Sequence, residues 1–479
     1  MPVRFSRLAL ASACAVALAG CASMAPRYER PATPVPAQFR DAPAGDSAAD
    51  AVAALDWRQV FLDERLQKVI ALALDNNRDL RVAVLNIEKA RAEYRIQRAD
   101  LLPSVDASGS YTSQRSTGSS TGTSQVSRSA SAEVGFSSWE LDLFGRIRSL
   151  KNEALETYLA TEQTQRDTRL SLVAEVATDW LAVAADQQLL ALARQTLESQ
   201  RKTLELTERK HEQGVVSGVD LASVQSSVES ARADVASYST ALAQARNALE
   251  LVVGASLPDE LLPDPAAGAD AVALAPLPAE LSSTVLLQRP DVLYAEHTLR
   301  AANADVGAAR AAFFPTISLT ASAGRSSDQL SDLFKGAGSR TWSFVPIISI
   351  PIFHAGALKA ELDKARISKN IYVADYEKAI QSAFSEVADA LAERAHVDEQ
   401  LDAQRAYVDA TRRSYELSDA RYRYGVDSYL DALTSQRSYY SAQQDLISLR
   451  LTEASNRVTL YKVLGGGADA QSGTTSGAQ

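Results

Sequence analysis

Residues 316–323 read Thr-Ile-Ser-Leu-Thr-Ala-Ser-Ala (TISLTASA), a strict alternation of polar and apolar side chains. A period of two puts each set on its own face of a β-strand. Further on, Trp342, Phe344, Ile348, Ile350 and Ile352 share one parity. In the first half, Val134 and Phe136 lie on one parity and Trp139, Leu141 and Leu143 on the other. A bulge near Ser137-Ser138 would bring them to one apolar face. Residues 104–112 (SVDASGSYT) alternate weakly and are the poorest of four expected strands, at about 104–112, 132–143, 316–324 and 341–352. Strands of about ten residues with one apolar face suit a lipid-facing barrel. A half-buried sheet on a soluble domain would carry the same pattern.

Between the strands the chain is helical with a period of seven. Val176, Val183, Leu190, Leu197 and Leu204 form one seam, and Leu401, Val408, Tyr415 and Tyr422 continue it one repeat later. Such spacing imposes side-by-side packing with left-handed supercoiling. Arg146 to Glu212 contains neither Gly nor Pro, so it can run unbroken for roughly 100 Å at 1.5 Å per residue. Heptads alone fit a soluble coiled coil, and the alternating strands argue against one. No later segment offers the ~18 uninterrupted apolar residues of a membrane helix. A membrane crossing therefore requires strands closed into a barrel. Four strands are too few to close one, and three copies would supply twelve.

The chain repeats itself. HEQGVVSGVDLASVQSS (211–227) returns at an offset of 211 as YRYGVDSYLDALTSQRS (422–438), with Gly214, Val215, Asp220, Gln225 and Ser227 recurring as Gly425, Val426, Asp431, Gln436 and Ser438. Residues 72–105 match 286–319 near Pro103 and Pro315. The expected halves are 56–254 and 284–465, each ordered helix, strand, loop, strand, long helix, turn, helix. The turns are expected at 214–217 and 425–428, where a Gly past a helix end allows a left-handed cap. Residues 255–283 are a Pro-rich linker and 466–479 a tail. The polar stretch 113–129 (SQRSTGSSTGTSQVSRS) reads as an exposed loop, with 324–340 as its counterpart.

The start of the chain reads as a secretory signal: Arg4 and Arg7, then the apolar run Leu8–Ala19, ending in Leu18-Ala19-Gly20-Cys21. That ending resembles a bacterial lipobox, in which Cys21 becomes the lipidated first residue, carrying N-acyl and S-diacylglycerol groups. Ala22 after it favours the outer membrane. Removal of 1–20 takes Cys14, Arg4 and Arg7 with it, so the formal charge moves from -10 to -12 and no second cysteine is left for a disulfide. Residues 21–55 read as a lipidated, extended tether.

An acidic chain argues against nucleic acid as a partner. Apolar content of 46% excludes wholesale disorder, and 6% aromatic residues suits long helices. His211, His297, His354 and His396 are scattered without an HExxH or paired-carboxylate context, so neither catalysis nor a metal site is expected. Met1 and Met24 cannot form a metal relay, and Gly465-Gly466-Gly467 follows a helix, as a terminator does.

Several motifs together resemble one family: Ser138–Arg146 (SWELDLFGR), Arg289-Pro290-Asp291-Val292, Ala301-Ala302-Asn303-Ala304, Arg310–Pro315 (RAAFFP) and Pro351-Ile352-Phe353. They are similar to the TolC-like outer-membrane efflux channels, of the NodT/OprM lipoprotein type. The resemblance spans nearly the whole mature chain. It implies a mixed α and β membrane protein, a homotrimer whose twelve-stranded outer-membrane β-barrel continues into a long α-helical coiled-coil barrel in the periplasm. It implies an exit duct for drugs or other small toxic compounds, without cofactors beyond the covalent lipid. Its partners would be a periplasmic adaptor, an inner-membrane transporter of the resistance-nodulation-division (RND) type, and outer-membrane lipid. Protein secretion, metal efflux and a pore-less coiled-coil scaffold are the alternatives.

The resemblance also assigns roles to the turns, which would form a periplasmic mouth. Asp431, six residues after Gly425, matches an acid ringing the closed aperture, with Leu430 as an apolar narrowing. Asp220 matches an acid that binds the hairpins together, and Tyr422 a tyrosine of the same lock. Three Asp431 carboxylates about an axis would repel one another and attract cations. The bland alternative is a solvated carboxylate helped by the helix dipole. Gly214, Gly425, Val215, Val426, Asp427, Arg421 and Arg423 are expected at adaptor or inter-hairpin contacts. Two departures stand out: His354 replaces a common Asp, and Thr434 replaces a second acid of the aperture.

Overall fold

The computed structural model describes residues 23–39, 56–117, 124–264, 282–335 and 339–466. Cys21, most of the linker and the tail expected at 466–479 fall outside them, apart from its first residue. In chain order the main elements are α1 (Glu64–Asn76), α2 (Arg78–Ala99), β1 (Asp106–Thr117), β2 (Ser124–Glu140), α3 (Arg146–Glu212), α4 (Gly218–Val253), α5 (Pro290–Ala311), β3 (Thr316–Ser327), β4 (Ser339–Ser349), α6 (Ala357–Arg423) and α7 (Tyr429–Val463). Helices α3 and α6 are each 67 residues long. The chain divides into two compact units, one formed by residues 1–32, 86–162 and 294–377, the other by 33–85, 163–293 and 378–479.

The first unit holds one four-stranded antiparallel sheet in the order β1-β2-β3-β4. The register of β2 on β3 passes from Phe136↔Ala321 to Trp139↔Leu319, so two residues stand opposite one. Ser138 takes up the bulge with φ 52, and its N–H donates to Thr320 Oγ1 at 3.0 Å. Trp139 thereby joins the face of Phe136, and the two rings meet edge-on at 6.2 Å.

The strands do not end where alternation suggested. β1 runs on to Thr117 and β2 starts at Ser124, so most of the polar stretch 113–129 is paired strand. Ladder hydrogen bonds belong to the backbone, and Ser and Thr side chains do not prevent them. At the other end β4 stops at Ser349 and β2 at Glu140. Pro351 has no N–H to continue a ladder. Asp142 instead turns to cap α3, accepting from the Ile147 and Arg148 N–H groups at 3.2 and 2.9 Å.

The segment expected as an extended tether is docked over part of its length. Arg30 makes a two-pronged pair with Glu296 of α5 at 3.1 and 2.7 Å, and Arg300 reaches the same carboxylate at 2.6 Å. Asn303 Nδ2 donates to the Pro26 carbonyl at 2.8 Å. Glu296 is buried, and paired guanidinium groups are what permit that.

The second unit has a core of Trp57, Phe61, Leu66, Ile70, Val176, Trp180, Val183, Leu249, Val253 and Tyr461. The Arg289-Pro290-Asp291 motif gains its purpose here. Buried Arg289 donates to the Val463 carbonyl at 2.8 Å, to Asp291 at 2.7 Å and to Glu386 at 2.6 Å. It thus joins the start of α5 to α6 and the end of α7.

Candidate functional site

Both turns lie in the second unit. At the end of α3, Gly214 adopts φ 73. Its N–H donates to the His211 carbonyl at 2.8 Å, and the Val215 N–H to that of Lys210 at 2.9 Å. At the end of α6, Gly425 also has φ 73, with bonds from Gly425 to Tyr422 at 3.0 Å and from Val426 to Arg421 at 2.9 Å. This pair of bonds satisfies carbonyls a helix end would otherwise leave open, and the left-handed residue between them favours glycine. Val215 and Val426 at the tips are exposed.

Each following helix starts on a Ser-x-x-Asp sequence with the serine at the N-cap position, and only the Ser217 side chain caps a backbone N–H. Ser217 Oγ accepts from the Asp220 N–H at 3.1 Å and donates to its carboxylate at 2.7 Å. Ser428 Oγ donates to the Asp431 carboxylate at 2.8 Å. Both acids therefore have a local anchor within one chain, as a helix-start residue would. They differ in setting: Asp220 is half-buried and Asp431 exposed. Leu430 is exposed too. The Thr434 hydroxyl is bonded back to the Leu430 carbonyl at 2.8 Å.

The remaining turn residues pair locally. Arg421 grips Asp427 through Nε at 2.5 Å and a second nitrogen at 2.8 Å. That hydrogen bond holds the Asp427 carboxyl below the usual carboxylate range. Arg423 pairs with Asp419 at 2.9 Å. In the first turn the corresponding closure is His211 Nδ1 to the Val216 carbonyl at 2.9 Å.

Tyr422 sits where the hairpins meet. It is 9% exposed and clusters with Tyr429, Ala432 and Leu433 of α7, Val224 of α4 and Leu204 of α3. Its ring meets that of Tyr429 edge-on at 5.3 Å, and Lys210 Nζ lies 4.9 Å from its centre. Burial pushes the Tyr429 phenol up to about 12, so it meets the cluster as a neutral hydroxyl. Deeper along the hairpins, buried Gln200 donates to Gln436 at 2.7 Å, Tyr440 to Asp234 at 3.3 Å, and Gln444 to Tyr238 at 2.7 Å. These polar links were absent from the sequence reading. Gln200 carried a signal: it sits three after Leu197, at an inward heptad position where a polar residue fixes register.

The sequence profile of the outer membrane efflux protein family matches this chain twice, over residues 69–255 and 281–466. The chain belongs to that family. The probable efflux pump outer membrane protein TtgC of Pseudomonas putida KT2440 is 49% identical over 461 residues, 95% of this chain and 94% of that protein. The solvent efflux pump outer membrane protein SrpC of Pseudomonas putida is 46% identical, over 94% and 96% of the two chains. Among solved structures, the open state of the Neisseria gonorrhoeae MtrE outer membrane channel superposes with a TM-score of 0.83 at 40% identity, over 93% of this chain and 99% of that one. In this efflux family member, the paired turns are the candidate gate.

Proposed function

We propose that this chain forms the outer-membrane exit duct of a tripartite RND-type pump and that its two helical turns are the gate. Three copies close a twelve-stranded barrel in the outer membrane, and their helices line a periplasmic tunnel. Small toxic organic compounds, of the kind named for the Pseudomonas putida relatives, pass out through it. The observation that carries the gate is the cluster joining Tyr422 and Tyr429 to Leu204 and Val224. It holds two hairpins together directly behind two near-identical turns, so loosening it would let both tips swing.

In the trimer, six turns surround the axis. Exposed Asp431 faces the lumen and forms the acidic constriction, with Leu430 beside it. Half-buried Asp220 steadies the neighbouring hairpin. Val215, Val426 and Arg423 at the tips meet the periplasmic adaptor, and Arg421 with Asp427 keeps the second tip in shape. Acyl chains on Cys21 add a lipid anchor.

Ion selectivity in planar bilayers tests the assignment. Asp431→Asn is expected to lower the cation-to-anion permeability ratio roughly severalfold, because a ring of like charges sets it. Asp220→Asn is expected to leave that ratio near wild type. Equal ratios in all three proteins would remove Asp431 from the lumen.

A further inference from the structure

Two glycines of the sheet leave no room for a side chain. A Cβ on Gly135 of β2 would collide with the Ala321 carbonyl oxygen of β3, and one on Gly324 of β3 with the Ala132 carbonyl oxygen of β2. Glycine inside a strand marks a close backbone approach or a tight bend at a barrel corner. The register puts both on one face, Gly135 opposite Ser322 and Gly324 opposite Glu133. A Cβ rises from its own strand toward that face, and it meets the next strand only where the sheet folds up on that side. The sheet is therefore creased along the β2–β3 seam and concave on the face of Glu133. This seam joins the strands of the first repeat to those of the second.

Glu133 uses the space so left. Its Cγ lies 2.8 Å from where a Cβ of Gly324 would stand, so its stem crosses the bare glycine. It is half-buried, and its carboxylate has no hydrogen bond or ion pair among the described residues. Asp106 lies diagonally across β1 and β2 on the same face, about 7–8 Å away by strand spacing. Glu140 shares the face but is paired with Arg146 at 2.9 and 2.6 Å. No Lys or Arg of the strands stands there, and Val345 and Ile347 are its only large apolar residues. The opposite face mixes Trp342, Phe344 and Ile348 with serines, threonines and arginines.

Both repeats build the same hairpin: Ser110 bonds Ser131, and 212 residues on Ser322 bonds Ser343, each at 2.8 Å. At that offset Glu133 corresponds to Val345 and Asp106 to Ser318, so the acids belong to the first repeat alone. In a closed barrel the concave face is the inside. Twelve strands about 4.8 Å apart and tilted by about 40° give a wall of roughly 12 Å radius. The field of a wall charge reaches about 10 Å at 0.1 M salt and about 3 Å at 1 M. Carboxylates fixed there act across the lumen in dilute salt and hardly at all in concentrated salt, and rings of acidic side chains select cations.

We infer that Glu133, reinforced by Asp106, forms a second acidic ring inside the barrel and favours the passage of cationic solutes there, independently of the turns. The inference rests on the barrel reading of the sheet given above. Each of three copies contributes one Glu133 and one Asp106, which alternate around the wall with the uncharged Val345 and Ser318. Solutes carrying a protonated amine are the class this wall admits most readily, and anionic solutes the class it holds back.

The test uses the full-length purified assembly in planar bilayers, with the cation-to-anion permeability ratio read from the reversal potential in a potassium chloride gradient. Asp431→Asn serves as parent, so that the turns contribute no charge at that position. The parent is expected to keep a cation preference near about 0.1 M salt and to lose most of it near about 1 M. Adding Glu133→Gln should lower the ratio roughly twofold in dilute salt, and adding Asp106→Asn should lower it further. A parent without cation preference in dilute salt would overturn the second ring, and that arm requires no change in the sheet. A ratio unmoved by Glu133→Gln would overturn it too. The facing is read separately: a water-soluble cationic methanethiosulfonate should reduce the current of E133C and leave wild type unchanged, and a conducting E133C channel that does not respond would put Glu133 outside the lumen. A wild-type chain that does not conduct defeats the barrel reading instead.

Discussion

The turns at Gly214 and Gly425 share a backbone down to the same φ of 73 and the same two capping bonds, yet they are closed by different chemistry. The first is held by the His211 imidazole on the Val216 carbonyl. The second is held by the Arg421–Asp427 ion pair and is backed by Tyr422, buried against both hairpins. Equivalent positions have thus diverged: His211 corresponds to Tyr422, and Val216 to Asp427, at the offset of 211. A duplicated backbone gives two helical hairpins with the same turn, and the side chains decide which of them carries the proposed lock.

The largest expected effect lies in that lock. Tyr422→Ala removes a buried ring, which costs about 3–5 kcal/mol for an aromatic core residue. It should raise single-channel conductance as well as lower the melting temperature. The Tyr422 hydroxyl is buried without a hydrogen-bond partner among the described residues. Tyr422→Phe should therefore keep wild-type conductance. A phenylalanine variant that opens like the alanine one would show that the hydroxyl, not the ring, closes the gate.

A middle-sized effect probes what the turns share. A Cβ on Gly214 or Gly425 would meet nothing within 4 Å, so only the left-handed backbone is penalised. Gly214→Ala and Gly425→Ala should each cost about 1–2 kcal/mol, read as faster hydrogen exchange in the flanking helix ends. Clearly unequal costs would mean that the closures, not the backbone, set the stability of the tips.

The smallest effect separates the closures. Asp427 is held below its ordinary range by Arg421. Its contribution is therefore complete above the ordinary aspartate value near about 4 and is lost as pH falls through the lowered value. Acidification over that window should loosen the second turn in hydrogen exchange and leave the first unchanged. Arg421→Ala should abolish the difference, by a small margin because the pair is exposed.

Much of the fold was legible because it is periodic. Heptads and the gap-free offset carried two helices of equal length, and the parity change between Phe136 and Trp139 carried the bulge at Ser138. Strand ends were less so, since backbone pairing continues through Ser- and Thr-rich sequence that shows no apolar alternation. The docking of Pro26 and Arg30 on α5 was hidden, because a Pro-rich stretch has no period by which to read its partner. In the candidate gate, Gly214, Gly425, Asp220 and Asp431 stood out by recurring. Ser217 and Ser428 recur as well, but only Ser217 caps a backbone N–H, while Ser428 bonds the Asp431 carboxylate alone.

The sequence by itself determined the elements: long helices from an unbroken period of seven, strands from a period of two, and turns from glycines placed just past helix ends. These are consequences of local geometry, and each is written within a few residues. The tertiary structure alone decided which of those residues meet. Tyr422 against Val224, Gln200 against Gln436, Arg289 against Glu386 and Arg325 opposite Arg340 join positions distant in the chain. Burial and pairing depend on what folding brings alongside, and no local pattern records it.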